Sequence, residues 1–141
     1  MMNTRIRTTL TLMTALAVTG LFALLFLSCG AQTLNPKFQP EISNVTDNFQ
    51  FQATGMTGVT QTLSYNWTIT GTQGNVNQAC SITGGGATIL IRDAQDTVLY
   101  TRNLADNGTF TTNAGVAGTW KIQVALSNVM GTVNFRVQKK P

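Results

Sequence analysis

Leu63-Ser64-Tyr65-Asn66-Trp67-Thr68-Ile69 alternates apolar and polar residues without a break, and Trp120-Lys121-Ile122-Gln123-Val124-Ala125-Leu126 repeats the pattern near the other end of the chain. A period of two sends every second side chain to the same side, the signature of a strand with one buried face. Working outward, Phe49, Phe51 and Ala53 alternate with Gln50 and Gln52, and Val133, Phe135 and Val137 alternate with Asn134, Arg136 and Gln138. Val76, Cys80 and Ile82 share a parity with Gln78, and Ile89 and Ile91 flank Leu90. Gly55 and Gly58, Gly84-Gly85-Gly86, Asp106-Asn107-Gly108 and Gly131 punctuate these runs, and Gly and Asn supply the positive φ of tight connections. Asp93-Ala94-Gln95-Asp96 reads as a hairpin turn. Apart from the N-terminal segment, no stretch has the three-and-four spacing of an amphipathic helix. The fold class is all-β. About eight strands over residues 44–141 point to a single antiparallel β-sandwich with jelly-roll or Greek-key connections.

Composition limits the chemistry. The 141 residues contain no His, 2 Cys, and 9 Lys and Arg against 5 Asp and Glu. The usual neutral-pH general base and the commonest metal ligand are therefore missing. No nucleophile–base pair can be assembled from what is left, which points to a non-catalytic protein. Two of the cations, Arg5 and Arg7, stand at the extreme N-terminus, and Lys139-Lys140 stand near the C-terminus. With no clustered basic face, nucleic acid is not the expected partner.

The first 29 residues differ from the rest. Arg5 and Arg7 precede an apolar run over residues 10–27, after which no charge appears until Lys37. A basic flank, an apolar stretch and small residues at its end form the layout of an export signal, expected as a helix over residues 1–28. The run would also span about 27 Å as a helix, close to a bilayer's hydrocarbon thickness, so length alone leaves a permanent anchor open. Its ending, Phe26-Leu27-Ser28-Cys29-Gly30, resembles the lipobox of bacterial lipoprotein precursors, in which a small residue precedes an invariant cysteine. Phe26 and Leu27 depart from the commonest choices, Ser28 and Cys29 match. The resemblance implies that residues 1–28 are removed, that Cys29 is acylated, and that the protein is anchored in the bacterial envelope. Gly30 in place of Asp implies the outer membrane. Residues 29–43, with Pro36 and Pro40, read as a tether. A competing cut after Ala31 would leave Gln32 first and produce a secreted or periplasmic protein. Asn44, Asn66 and Asn107 open glycosylation-like triplets that Thr-rich sequence produces by chance.

Ile91-Arg92-Asp93, Val98-Leu99-Tyr100, Gly118-Thr119-Trp120-Lys121-Ile122 and Gly131-Thr132-Val133-Asn134-Phe135 together resemble the C-terminal half of bacterial pre-peptidase-type β-sandwiches. Those are accessory domains of exported proteins, so the resemblance implies a fold and an accessory role, without a ligand.

Several side chains are candidates for more. Asp93, Asp96 and Asp106 lie at turns, where carboxylates can serve a structural calcium ion or simply bond the backbone. Tyr100 and Phe110 are candidate ligand-binding aromatics, and an exposed coplanar patch with Phe38 would suit a sugar ring. Trp67 and Trp120 belong to the core by parity. Cys80 reads as a buried free thiol. The functional expectation is an anchored lipoprotein whose domain binds an envelope protein or glycan. A secreted carbohydrate-binding or adhesion module is the first alternative. An assembly subunit that pairs through an edge strand is the second, with residues 132–138 as the candidate edge and Lys139-Lys140-Pro141 guarding it.

Overall fold

The computed structural model describes residues 38–141. The stretch read as an export signal, Cys29 and the start of the stretch read as tether lie outside the described residues. The described residues form one compact unit, an antiparallel sheet of seven strands with no α-helix. The strands are β1 (Glu41–Val45), β2 (Asn48–Ile69), β3 (Gly74–Gln78), β4 (Ser81–Arg92), β5 (Val98–Asn103), β6 (Gly108–Thr111) and β7 (Gly118–Lys139), with a single 3-10 turn at Leu104–Asp106.

Two features differ from the expectation of about eight strands. Residues 48–69 form one continuous strand, and so do residues 118–139. In both, glycines that read as turn signals mark bulges. The β2–β7 register slips between Ala53 and Met56, between Met56 and Val59, and between Val59 and Gln61. The β4–β7 register slips on either side of Gly84. Gly55, Gly58, Gly85 and Gly131, all at positive φ, lie along these slips. Bulges increase local twist and bend the strand that carries them. At Gly85 and Gly131 a side chain has no room, because a Cβ would stand 2.2 Å from the Asn128 carbonyl oxygen and 2.2 Å from that of Ser81 respectively.

β1 begins at Glu41, inside the stretch read as tether. Its Ile42 and Asn44 give no apolar alternation, and all its residues are exposed, so pattern reading passes over it. Its partner is fixed by the hairpin Val45-Thr46-Asp47-Asn48, in which Asp47 adopts φ 65.

On one side of the bend the strand order is β1-β2-β7-β3-β6. On the other, the second half of β2 pairs with the first half of β7, which pairs with β4, which pairs with β5. β7 is therefore central throughout. That corrects the expectation that residues 132–138 form an edge. Val133, Phe135 and Val137 pair with β2 on one side, and Phe135 and Val137 pair with Gln78 and Val76 of β3 on the other. Their apolar alternation reports the one buried face and is the same for a central strand as for an edge.

The apolar parities of both halves meet in one core. Phe51 and Phe135 are directly opposed and stack with centroids 5.2 Å apart at 10°. Trp67 and Trp120 are directly opposed and meet edge to face at 5.9 Å and 83°. Tyr65, beyond the bend, packs 5.4 Å from Phe49 and 6.2 Å from Phe51. Both tryptophans lie in the core as their parity requires, and each indole N–H is satisfied: Trp67 Nε1 donates to Val45 O at 3.0 Å and Trp120 Nε1 to Val116 O at 2.7 Å. Cross-strand aromatic pairs of this kind add to the burial energy of each ring.

Candidate functional site

Asp93 is buried at the β4–β5 turn. Its Oδ1 accepts from the N–H groups of Gln95 (3.0 Å) and Thr97 (2.9 Å), and its Oδ2 accepts from Val116 N (3.0 Å). The Val116 bond first, with those from Thr97 and Gln95, holds its carboxyl below the usual aspartate range. This carboxylate ties the hairpin to the segment before β7. Asp96 pairs at 3.7 Å with Lys121 and at 3.9 Å with Arg92, and Asp106 pairs at 3.3 Å with Arg102. Among the described residues no three His, Cys, Asp or Glu side chains converge as a metal group would require. The three aspartates thus serve three separate structural contacts.

The aromatic candidates come together, but not as a platform. Tyr100 is buried, and its ring lies 6.5 Å from that of Phe110 at 39°. The Arg102 guanidinium lies 3.8 Å from the Phe110 centroid, so a cation occupies one face of the ring. Phe38 packs against the core. Burial pushes the Tyr100 phenol up, opposed by the neighbouring Arg102. The Tyr100 hydroxyl and Arg102 Nε have no hydrogen-bond partner, nor do the two amide atoms of Gln78, which is 2% exposed. Gln78 sits on the core parity, as Val76 and Cys80 indicate, and its cross-strand neighbours are Gly108 and Phe135. No sequence signal indicated that Arg102 would cover Phe110.

Cys80 is buried and unbridged, as its parity indicated. Its thiol donates to Asn134 O at 3.3 Å and accepts from Asn134 N at 3.4 Å, while burial pushes its pKa up. A protonated, covered thiol is a poor nucleophile. The Asn107 side-chain amide completes the local ladder: Cys80 N donates to its Oδ1 at 2.6 Å and its Nδ2 donates to Cys80 O at 2.9 Å.

The outer face of the β1-β2-β7-β3-β6 layer presents a polar row that crosses five strands: Ser43, Gln50, Arg136, Asn77 and Thr109. Arg136 donates to Gln50 Oε1 at 3.1 Å and Asn77 Nδ2 to Thr109 Oγ1 at 2.8 Å. At one end of that face lies a shallow groove of about 260 Å³, lined by Glu41, Ile42, Ser43, Gln50 and Gln52. Two of the five large apolar side chains exposed on the described residues, Ile42 at 37% and Val45 at 57%, belong to the same strand β1. This rim combines a groove, exposed apolar groups and a strand edge that is unpaired among the described residues. It is the candidate interaction surface among the described residues. Sequence reasoning missed it because β1 lacks any periodic signal.

Comparison with known protein families, with curated proteins and with solved structures returns no match.

Proposed function

We propose that the chain is an exported, lipid-anchored protein of the bacterial envelope, with Cys29 as its acylated N-terminus and a non-catalytic β-sandwich that binds or scaffolds an envelope partner. The observation that carries this reading is the sequence of residues 5–30: a basic flank, an apolar run, and Ser28-Cys29-Gly30 at its end. Two or three acyl chains, at about 0.8 kcal/mol per buried methylene, hold a small domain on a membrane durably. The fold-back of β2 and β7 around one core supports the sandwich. The roles of the polar groups support a binding or structural task, since Asp47, Asp93 and Asn107 each bond to the backbone of another segment.

A diffusible glycan-binding module stands behind this reading, because Tyr100 is buried and Phe110 is covered by Arg102. The intact mass and N-terminal chemistry of the protein recovered from a bacterial membrane fraction separate the cases. A chain that begins at a diacylated or triacylated Cys29, and is lost from membranes on Cys29→Ala substitution, is the expected result. A soluble chain that begins at Gln32 overturns the anchor, and an intact Met1 makes residues 10–27 a permanent span.

A further inference from the structure

We propose that β1 is a self-pairing edge: two copies of the chain join antiparallel through Glu41–Val45, with Ser43 facing Ser43 across a two-fold axis. Hydrogen-bond phase provides the first support. Lys139 N donates to Asp47 O, which fixes Phe49, Phe51 and Ala53 as the β2 residues bonded to β7. Asn48, Gln50 and Gln52 therefore bond to β1, through Val45, Ser43 and Glu41. The N–H and C=O groups of Ile42 and Asn44 consequently point away from the sheet.

Register provides the second. Centring the pair on Ser43 sets Ile42 of one copy against Asn44 of the other, so each outward N–H meets an outward C=O. Shifting the centre to Ile42 would pair Asn44 with Pro40, which has no N–H to give. In the centred register Glu41 faces the second copy's Val45, and the two Glu41 carboxylates lie at opposite ends of the pair. Val45, the most exposed large apolar residue described, then stands beside the groove lined by Glu41, Ser43, Gln50 and Gln52. The register thus keeps the two carboxylates apart and brings exposed apolar surface of each copy against the other.

The other edges are less suited. On the far half of β2, the carbonyls of Asn66 and Thr68 already accept from Asn44 Nδ2 (2.9 Å) and Asp47 N (2.9 Å). The β5 edge is engaged where Leu99 O accepts from Asn113 N at 3.0 Å. β6 carries no exposed large apolar side chain.

Residues opposed at a non-hydrogen-bonded antiparallel site lie about 4.5 Å apart at Cα, within disulfide range. The test is Ser43→Cys in the full chain, oxidised in whichever cell fraction holds it, with mass spectrometry of the linked peptides. Linkage of residue 43 to residue 43 is expected in most of the protein, and it is read independently of any linkage at Cys29. Adding Ile42→Pro, which removes an outward N–H and leaves the β1–β2 ladder intact, should reduce the linkage at least tenfold. Because that variant risks misfolding, Ser43→Lys provides a second measure: two ammonium groups at the axis should shift the light-scattering mass of the purified full chain from dimer to monomer, with an unchanged circular dichroism spectrum. Absence of a 43–43 link, or a dimer indifferent to both Ile42→Pro and Ser43→Lys, overturns the proposal. Failure of the lipid anchor would change the fraction and leave the link in place.

Discussion

The N–H of Asp47 donates to the carbonyl of Thr68 at 2.9 Å. Between these two residues runs nearly the whole of β2, 22 residues that would span about 70 Å if straight. The contact shows how completely the strand folds back. Asp47 strengthens the closure with its side chain, accepting from Thr70 N at 2.7 Å and Thr70 Oγ1 at 2.8 Å and pairing with Lys139 Nζ at 3.0 Å.

That closure titrates. The bond from Thr70 N first, with those from the Thr70 hydroxyl and Lys139, holds the Asp47 carboxyl below its usual range. A carboxylate whose pKa is lower folded than unfolded stabilises the fold above its unfolded pKa, and the benefit is lost as pH falls through the folded value. Asp93 behaves the same way, through Val116 N. Asp47→Ala and Asp93→Ala should be less stable than the parent in urea unfolding at neutral pH. Their deficits should narrow as the pH falls below the ordinary aspartate range. A deficit constant down to pH 2 would assign the loss to packing.

Trp120 stands at the centre of the core, fully buried against Trp67. Trp120→Ala should lose about 3–5 kcal/mol of unfolding free energy in urea titration. Trp120→Phe, which keeps an aromatic ring and leaves Val116 O without its indole donor, should lose less.

The bend should be sensitive to single methyl groups. At Gly131, φ 113 and the Ser81 carbonyl oxygen 2.2 Å from a Cβ leave no space. Gly131→Ala should lose more than about 2 kcal/mol. Gly86 has open space at its Cβ position and no unusual φ, so Gly86→Ala should be neutral or gain up to about 1 kcal/mol. Paired thermal melts of the two variants check the contrast.

Cys80 should react with a disulfide reagent such as Ellman's only when the fold opens. In the native protein at pH 8 the expected rate is at least a hundredfold below that of a free thiol, with complete reaction in denaturant. Fast native labelling at Cys80 would contradict its burial.

The core was legible because its residues are periodic: Phe49, Phe51, Trp67, Trp120, Ile122, Phe135 and Val137 all lie on the parity that the sequence assigns them. Strand number was not, because Gly55, Gly58 and Gly131 have the same composition in a bulge as in a turn, and only the neighbouring strand decides which forms. The edge was misplaced for a related reason. Alternation reports which face is buried and says nothing about how many strands flank it, so residues 132–138 could not be told from an edge. The candidate site was the least legible part. β1 has no pattern of its own, and the cover of Phe110 by Arg102 depends on β5 and β6 being brought together in space.

β7 follows β2, β3 and β4 in the chain, and all three pair with it. While residues 118–139 are still being delivered, none of those strands has its central neighbour, and the aromatic pairs Phe51–Phe135 and Trp67–Trp120 each lack a member. Chain order thus leaves the core incomplete until residues 118–139 have been made. A polypeptide built this way remains threadable through β2, β3 and β4, and commits to its shape only when its central strand arrives.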